Sequence, residues 1–558
     1  MKQFFSVLLV LVMIFLMSAL SFGQGRIVNV ATLAAGGKYL NEVIAADSTG
    51  RGTTDNTTYV LARDAIYYAN SPINNVGWTL RMRSSYGKLT GTGPSRSGYP
   101  ATIFLKLGAS GAQVNNLVQV AGNVSLSNLE VSGYDETVTP SALGTIFEEI
   151  FLTTASGKNI VIDSCILTNC GQGVLRCNSA PSVVKITNTL FANMGSRLFS
   201  DLGNGRGVDC RNGSVDSLIL INNTFVNNGD RIIRHYSSTA PIKFFKFDHN
   251  TIVNNMAFHG LLSLGYTQGQ FSITNNLLVN PFALGSDTDV TRQVEFADNG
   301  ENDPLNGRPR MTWINCKPDT AGQVVPTVWT IKNNYYRLTP ALATWWSGAG
   351  ATPALSKGYP LPWHINKKLG ADSATSFTET TADVKKIPAL MTAMMTYYRS
   401  PSGANKTKVN NTGAPDYDRV SYVYLTDTLD CTYPTNASIY TAASAGQPVG
   451  SLMWWGMSVS TGVESRSQAV PSSFALNQNY PNPFNPTTNF TYELSKAGFV
   501  SVKIYDVLGR EVATLVNEVK QAGSYPATWN AAGVGSGVYF CKMQTESFTA
   551  TKKMILMK

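Results

Sequence analysis

The chain has 558 residues and a formal net charge of +9, yet only 14% of its residues are charged. This length exceeds one ordinary domain, and the abundant Gly, Asn, Ser and Thr are typical of short strands joined by tight turns. No Lys/Arg-rich run, nucleic-acid motif or phosphate loop accompanies the positive charge, so nucleic acid is not a predicted partner and a nucleotide-dependent enzyme is disfavoured. The excess suits either acidic polysaccharide partners or a solubilising surface.

The N-terminus carries the pattern of a secretory signal peptide. Lys2 precedes an apolar run over 4–17, and small residues follow within 18–23. An apolar core shorter than a membrane span, with these flanks, predicts cleavage after Gly23, although a retained membrane anchor is the alternative. We therefore assign residues 1–23 to a signal peptide. No later stretch of the sequence is long and apolar enough to span a bilayer.

Residues 24–115 contain strand-like stretches, at 78–83 and 101–107, without a regular repeat. A repeat begins immediately afterwards, and a repetitive stack of strands must be closed at its ends to shield its core. We predict an N-terminal cap and the first irregular coils over 24–115.

Residues 116–340 contain seven copies of one pattern. An apolar residue occupies the first and sixth positions, and a residue suited to a tight turn occupies the third and eighth. The third positions are Asn128, Ser164, Asn188, Asn222, His249, Asn275 and Asn333. The eighth positions are Gly133, Asn169, Asn193, Asn227, Asn254, Asn280 and, breaking the pattern, Leu338. A variable spacing with a minimum of 24 residues suits coils of three short strands with insertions in their loops.

Asn explains the pattern because it tolerates the left-handed backbone conformation better than most residues. Stacked coils would bring these amides above one another in a hydrogen-bonded ladder, with the apolar positions inside. The pattern resembles the right-handed parallel β-helix of the pectate-lyase-like proteins over about residues 40–336. A leucine-rich solenoid is the main rival, but Leu is not the repeated residue. The predicted fold class is all-β: a right-handed parallel β-helix followed by a small immunoglobulin-like β-sandwich.

Seven cysteines are too few for a disulfide framework at this length. Four of them lie within or near the repeats: Cys165, Cys170, Cys177 and Cys210. Stacked buried thiols are the preferred interpretation, and one disulfide in an oxidising compartment is the alternative.

Strands between the Asn turns are where a β-helix of this class binds extended polymers. Candidate rungs are 173–177, 207–211, 231–235 and 260–262. Strand alternation would point Arg176, Asp209 and Arg211 outward. The same alternation sends Leu175, Cys177, Val208 and Cys210 into the core and puts Arg234 and His235 on opposite faces.

This concentration of arginines and carboxylates suits a lyase acting on uronic-acid chains, because Arg pairs with a sugar carboxylate and a basic group removes the adjacent proton. We predict Arg234 and His235 as catalytic. The predicted substrate-binding residues are Arg176, Asp209, Arg211 and Arg231. Asp201 and Asp209 could hold Ca²⁺, and the Glu148-Glu149 pair offers further ligands or hydrolase carboxylates. A non-catalytic adhesin or structural β-helix, with these charges merely paired on the surface, is the alternative function.

Residues 341–460 form an aromatic-rich region in which the repeat fades. It reads as a C-terminal cap packed along the helix, with a carbohydrate-binding surface as the alternative for its tryptophans. One amphipathic stretch near 382–398 predicts a short helix. Residues 461–473 are polar and Ser-rich and predict a linker.

Residues 474–558 carry the most specific motifs: FALNQNYPNPFNPTT at 474–488, IYDVLGREV at 504–512, SGVYF at 536–540 and KKM at 552–554. Together they resemble the type IX secretion sorting domain, and their short alternating strands alone predict a β-sandwich. The sorting signal maps to Asn482, Pro483, Phe484, Asn485, Pro486, Gly509, Lys552 and Lys553. The resemblance implies passage across the outer membrane, recognition by the secretion machinery, and removal of the tail with attachment to a surface glycolipid.

Overall fold

The computed structural model describes residues 26–48, 57–86, 98–106, 114–133, 148–195, 205–210, 213–235, 240–256, 260–283, 314–319, 322–323, 325–348, 361–392, 395, 429–459, 474–479, 482–496, 498–520 and 523–557. The chain divides into two units, Met1–Val459 and Ser460–Lys558. The predicted signal peptide and linker lie outside the described residues. Within the described ranges, no helix has the length and apolarity that a membrane crossing requires.

The first unit is a parallel β-helix in which successive strands pass through three sheets in turn. Sheet A contains β1 (Ile27–Val30), β2 (Thr58–Leu61), β5 (Leu80–Ser84), β8 (Val124–Ser127), β11 (Asn159–Asp163), β14 (Val183–Thr187), β17 (Ser217–Ile221), β20 (Ile242–Asp248), β23 (Thr267–Thr274) and β26 (Thr327–Lys332). Sheet B contains β3 (Ile66–Ala69), β6 (Ala101–Leu105), β9 (Leu129–Ser132), β12 (Ile166–Thr168), β15 (Leu190–Ala192), β18 (Thr224–Val226), β21 (Thr251–Val253), β24 (Leu277–Val279), β27 (Asn334–Arg337) and β28 (Phe377–Glu379). Sheet C contains β4 (Ile73–Asn74), β7 (Val118–Val120), β10 (Glu149–Thr153), β13 (Gly173–Cys177), β16 (Arg206–Cys210), β19 (Ile233–His235), β22 (Leu262–Gly265) and β25 (Ile314–Cys316).

The turn residues predicted from the repeat adopt the predicted backbone. All seven third-position residues and the five eighth-position asparagines have φ between 50° and 60°. Their amides form ladders: Asn227 Nδ2 donates to Asn193 Oδ1 over 3.1 Å, and Asn280 Nδ2 donates to Asn254 Oδ1 over 3.0 Å. The sharp corners that follow the strands of sheet A (third position) and of sheet B (eighth position) therefore repeat coil after coil.

A further Asn column, absent from the sequence prediction, occupies the fourth position of the repeat. It lies inside the corner between sheets A and B. It consists of Asn223, Asn250, Asn276 and Asn334, all buried. Each of the first three donates from Nδ2 to the next residue's Oδ1 over 2.8–3.1 Å. This inner column, Asn223 to Asn334, thus joins four successive coils through side chains alone.

Helices occur at the ends of the β-helix. Helix α1 (Leu40–Ala46) buries Leu40 and Ile44 against the first coils, and α2 (Pro340–Gly348) and α3 (Trp363–Leu369) lie between β27 and β28, the last two strands of sheet B. Short 3₁₀ turns occur at Leu33–Ala35, Gly370–Thr375, Ser438–Tyr440, Ser444–Gly446 and Leu452–Trp455. The helix predicted near 382–398 was wrong for 382–391, which run as loop. Lys386 in that loop pairs with Asp430 of the next described segment.

Residues 429–459, here called the strap, pack lengthwise on the outer face of sheet B. Apolar strap residues such as Tyr433 and Ile439 share one buried cluster with Val226 and Val253 of β18 and β21. Ser451 N donates to Thr251 Oγ1 over 2.8 Å. The strap therefore covers sheet B and binds several coils together.

The second unit is a small antiparallel β domain. One sheet contains β29 (Ala475–Leu476), β30 (Thr487–Leu494) and β33 (Gly523–Asn530). The other has the order β32 (Glu511–Lys520), β31 (Gly498–Asp506), β34 (Gly537–Thr545) and β35 (Thr549–Leu556). Its core contains Trp529, which lies 5.4 Å from Phe484 between ring centroids.

Candidate functional site

The candidate site is built on sheet C, where strand register aligns side chains into rows. Arg176 of β13 is level with Asp209 of β16, which is level with Arg234 of β19. Alternation sends the neighbouring side chains inward, and the residues predicted for the core are all buried: Leu175, Cys177, Val208 and Cys210. One outward row thus carries an Arg, an Asp and an Arg on three consecutive strands.

Ion pairs connect this row to the first residues of β10 and β16. Arg176 Nη1 lies 2.9 Å from Glu149 Oε1. Asp209 Oδ2 lies 3.0 Å from Arg206 Nη1 and 3.5 Å from Arg234 Nη1. We call the arginine cluster the seven residues Glu149, Arg176, Arg206, Asp209, Asp230, Arg231 and Arg234, in which four guanidinium groups face three carboxyl groups.

Asp230 occupies the deep end of the arginine cluster. Its Oδ2 lies 3.1 Å from Arg231 Nε and 3.8 Å from Arg206 Nε. Arg231 also donates from Nη1 to Ser263 Oγ over 3.1 Å. These contacts fix the buried charges by mutual pairing, which a charge needs when it leaves water.

Exposure separates the cluster into two groups. The side chains of Arg176 and Arg234 are 19% and 12% exposed, whereas those of Arg206, Asp209, Asp230 and Arg231 are at most 5% exposed. We expected Asp209 and Arg231 to contact a substrate from the outer face. Both are buried, because neighbouring ionic groups enclose them. Arg211 and Asp201, also expected here, lie outside the described residues.

Burial changes proton affinities in the cluster. It raises the pKa of Glu149 despite the opposing effect of Arg176, and it lowers the pKa of Arg206 to about 10. Arg206 therefore stays charged at neutral pH, while Glu149 is a carboxyl group that holds its proton more tightly than a solvated one.

His235 does not fit the catalytic role that we expected. It lies on the inward row beside Cys210, is fully buried, and its Nδ1 is 2.9 Å from Leu264 O. Burial lowers its pKa to about 4, so the ring is neutral at physiological pH. A polymer on the outer face of sheet C could not reach a side chain that points into the core.

The described residues contain no group of three His, Cys, Asp or Glu side chains placed to hold a metal ion. Asp209, one of the two expected calcium ligands, instead directs Oδ2 at two arginines. All seven cysteines are buried free thiols, as the preferred interpretation predicted.

The sequence did not indicate how three members of the cluster, Glu149, Arg206 and Asp230, pair with the predicted residues. Arg206 pairs in register with Gly173, which pairs with Glu149, so the three positions stack at the starts of β16, β13 and β10. Aligning the rungs at their first residues would have brought Arg206 and Glu149 together. Asp230 precedes β19, and no periodic signal indicated its place.

In the sorting domain, the predicted signal residues lie at three places. Phe484 is buried in the core, Gly509 has a φ of +76° in the turn between β31 and β32, and Lys552 and Lys553 lie on β35. Asn482 Nδ2 donates to Lys553 O over 3.2 Å, so the first motif contacts the last. Pro483, Asn485 and Pro486 complete the segment that leads into β30.

A parallel β-helix followed by a separate antiparallel domain with these terminal motifs defines a class of exported surface proteins. Residues 478–557 match the family model of the secretion system C-terminal sorting domain. This domain directs the chain to the type IX secretion machinery and to the cell surface or extracellular space. No curated protein matches the chain.

Proposed function

We propose that the β-helix binds an acidic polysaccharide along the outer face of sheet C. The arginine cluster supports this proposal: four guanidinium groups face three carboxyl groups on one sheet face, and Arg176 and Arg234 are its most exposed members. Guanidinium groups pair with carboxylates and sulfates in a planar two-bond geometry that ammonium groups lack.

The arrangement of the sheets favours sheet C over sheet B. From β12 to β24 the strap covers the outer face of sheet B with a buried apolar cluster, so a polymer cannot lie along that part of the sheet. On sheet C, Arg176 and Arg234 are separated by one strand, which corresponds to roughly 10 Å along the stacking axis. A chain with repeated negative charges, laid along that axis, would meet the two arginines in succession.

Buried carboxylates hold the arginines in place, and because four arginines face three carboxyl groups the cluster keeps one excess positive charge. Asp209 pairs with Arg234 and Arg206 at once, and Glu149 pairs with Arg176. Arg176 and Arg234 therefore need little reorganisation on binding, which lowers the entropic cost of association.

The test measures the affinity of the mature full-length chain for a panel of uronic-acid and sulfated polysaccharides at several salt concentrations. Arg176→Ala and Arg234→Ala should each weaken binding by about tenfold, the loss expected for one charged hydrogen-bonded contact. Lys332→Ala, which removes the same charge from the exposed end of β26 on sheet A, is the matched control. Equal losses in all three variants would mean nonspecific attraction and would refute a site on sheet C.

Lyase-like cleavage is a second candidate, favoured by Glu149. A carboxyl group whose pKa is raised by burial, and which lies beside an arginine, is a candidate for proton transfer to or from a substrate. Incubation with the same panel, with and without calcium, should then produce ultraviolet absorbance from unsaturated uronic ends, and Glu149→Gln should abolish it. A flat trace from the wild-type chain, with no new reducing ends, would leave a non-catalytic adhesin.

The sorting domain supports a further proposal about maturation. After export, the tail over 474–558 is removed and the remaining protein is joined to a surface glycolipid. Mass spectrometry of the surface form should detect peptides up to the linker over 461–473 and none from the tail. Peptides from β35 in the surface form would contradict removal.

A further inference from the structure

In the sorting domain, three residues that precede β30 contact the outer edge of the C-terminal strand. Strand β35 is the last strand of its sheet and pairs with β34 on one side only. Such an edge offers unpaired N–H and C=O groups to any neighbouring chain. Gln478, Asn482 and Phe484 cover part of this edge.

The contacts alternate along the strand as those of a neighbouring strand would. Gln478 Nε2 and Asn482 Nδ2 both donate to Lys553 O, over 2.8 and 3.2 Å. Ile555 N donates to Asn482 Oδ1 over 2.8 Å. Phe484 N then donates to Ile555 O, and Met557 N donates to Phe484 O, over 2.9 and 3.0 Å. Five hydrogen bonds thus cover the edge from Lys553 to Met557.

Two independent anchors hold the covering segment. The Phe484 side chain is 2% exposed and packs on Trp529 in the core of the domain. Asn479 Nδ2 donates to Thr488 Oγ1 of β30 over 2.9 Å. The segment is therefore tied to the core and to the other sheet, and it fixes β35 relative to both.

We propose that Asn482 and Phe484 act as a clamp that positions β35. The secretion machinery then recognises the first sorting motif, at 474–488, and the last, at 552–554, together as one surface. In this surface the clamp bonds to the backbone carbonyl oxygen of Lys553, and the Lys553 residue is exposed. The partner is the component of the secretion machinery that receives the folded sorting domain, and its contact with Lys553 requires an acidic or hydrogen-bond-accepting face. Asn482 is accordingly a positioning residue.

Two asparagines of the same motif allow a matched test. Asn482 bonds to the edge of β35, whereas Asn485 is exposed and, among the described residues, makes no hydrogen bond to β35. The full-length chain is produced in a bacterium that has the type IX system, as wild type, Asn482→Ala, Asn485→Ala and Asn482→Asp. Surface export is measured, together with amide hydrogen exchange of the purified chains.

In Asn482→Ala the backbone amide of Ile555 loses its acceptor. We therefore expect amide exchange at Ile555 to become about tenfold faster and export to fall. Exchange in β31 should stay unchanged, which excludes general unfolding. Asn482→Asp keeps an oxygen for Ile555 N–H and should restore both protection and part of the export. Asn485→Ala should change neither.

Three results would overturn the proposal. Unchanged exchange at Ile555 in Asn482→Ala would mean that the clamp does not hold β35. Faster exchange with normal export would mean that the machinery does not depend on the clamped strand. Equal loss of export in Asn482→Ala and Asn485→Ala, with exchange altered only in the first, would mean that the motif is read as a linear sequence.

Discussion

Replacing Asn250 with Ala tests whether the inner column of asparagines stabilises the β-helix. Asn250 lies at the middle of that column and its side chain makes four hydrogen bonds. Nδ2 donates to Leu220 O and to Asn276 Oδ1, and Oδ1 accepts from both the backbone and the side-chain nitrogen of Asn223. The substitution breaks all four bonds inside a corner from which water is excluded.

The expected cost follows from the groups left behind. Asn276 Oδ1 keeps the bond from Asn250 N, and Asn223 Nδ2 keeps its bond to Ile186 O. Asn223 N and Leu220 O lose the partner that Asn250 supplied. A buried unpaired donor costs about 1–3 kcal/mol and each of the three further lost bonds about 1 kcal/mol, so we expect a loss of about 4–6 kcal/mol in the free energy of unfolding.

The assay is guanidinium unfolding of the mature full-length chain, compared with Asn123→Ala. Asn123 is an exposed asparagine whose Oδ1 accepts one bond, from Asn159 N over 2.9 Å. The control should lose at most about 1 kcal/mol. If Asn250→Ala costs no more than the control, the inner column contributes little, and the burial of its amides is incidental to stability.

Three further predictions concern other parts of the β-helix. Gly450 of the strap has a φ of +89°, and a Cβ there would lie 2.6 Å from Thr251 Oγ1. Gly450→Ala should therefore loosen the strap and make it more sensitive to limited proteolysis. A strap as resistant as that of the wild type would contradict its close packing. Asn227→Ala should lower the free energy of unfolding by about 1 kcal/mol more than Asn227→Gly, because Ala is strained at a φ of 54° and Gly is not. Thermal or guanidinium unfolding measures the difference. Equal losses of stability would contradict the idea that backbone strain selects Asn. The pKa of His235 is about 4 when folded and near 6.5 when unfolded, so acidification from pH 6.5 to pH 4 should cost about 3 kcal/mol of stability. His235→Gln should remove that part of the pH dependence, and an unchanged difference between pH 7 and pH 4 would refute the assignment.

Much of the β-helix was predictable because one backbone requirement recurs at every coil. Few residue types tolerate the left-handed backbone at these corners, so residues such as Asn222 and Asn227 recur at a fixed spacing that the sequence shows. Even His249, which occupies an Asn position, has a φ of 50°. The inner column escaped detection because its position is Leu129, Cys165 and Thr189 in the earlier coils and becomes Asn only from Asn223 onward. Its residues are selected by mutual hydrogen bonding, not by backbone conformation.

For the candidate site, the sequence predicts to which face of the strand a side chain points, but not how exposed that side chain is. Alternation correctly separates Arg234 from His235, because neighbouring residues of a strand point to opposite faces. It cannot indicate that Asp209 is enclosed by Arg206 and Arg234, because enclosure depends on side chains from other strands. The sequence predicts that this region packs along the β-helix, but not that the strap covers sheet B, since it has no period that would indicate a particular sheet.

The asparagine columns also have a polarity. In the eighth-position ladder each amide donates toward the N-terminal coil, as Asn254 does to Asn227, whereas in the inner column each donates toward the C-terminal coil, as Asn250 does to Asn276. The two columns of aligned amide dipoles, one on each side of sheet B, therefore run in opposite directions. Each column must also end on an acceptor, and Ser132 Oγ and Ser376 O accept from the terminal amides at opposite ends of the stack. Reversing one amide would set donor against donor and acceptor against acceptor at its contacts with both neighbours, so the orientation of each side chain is coupled to that of the coils on either side.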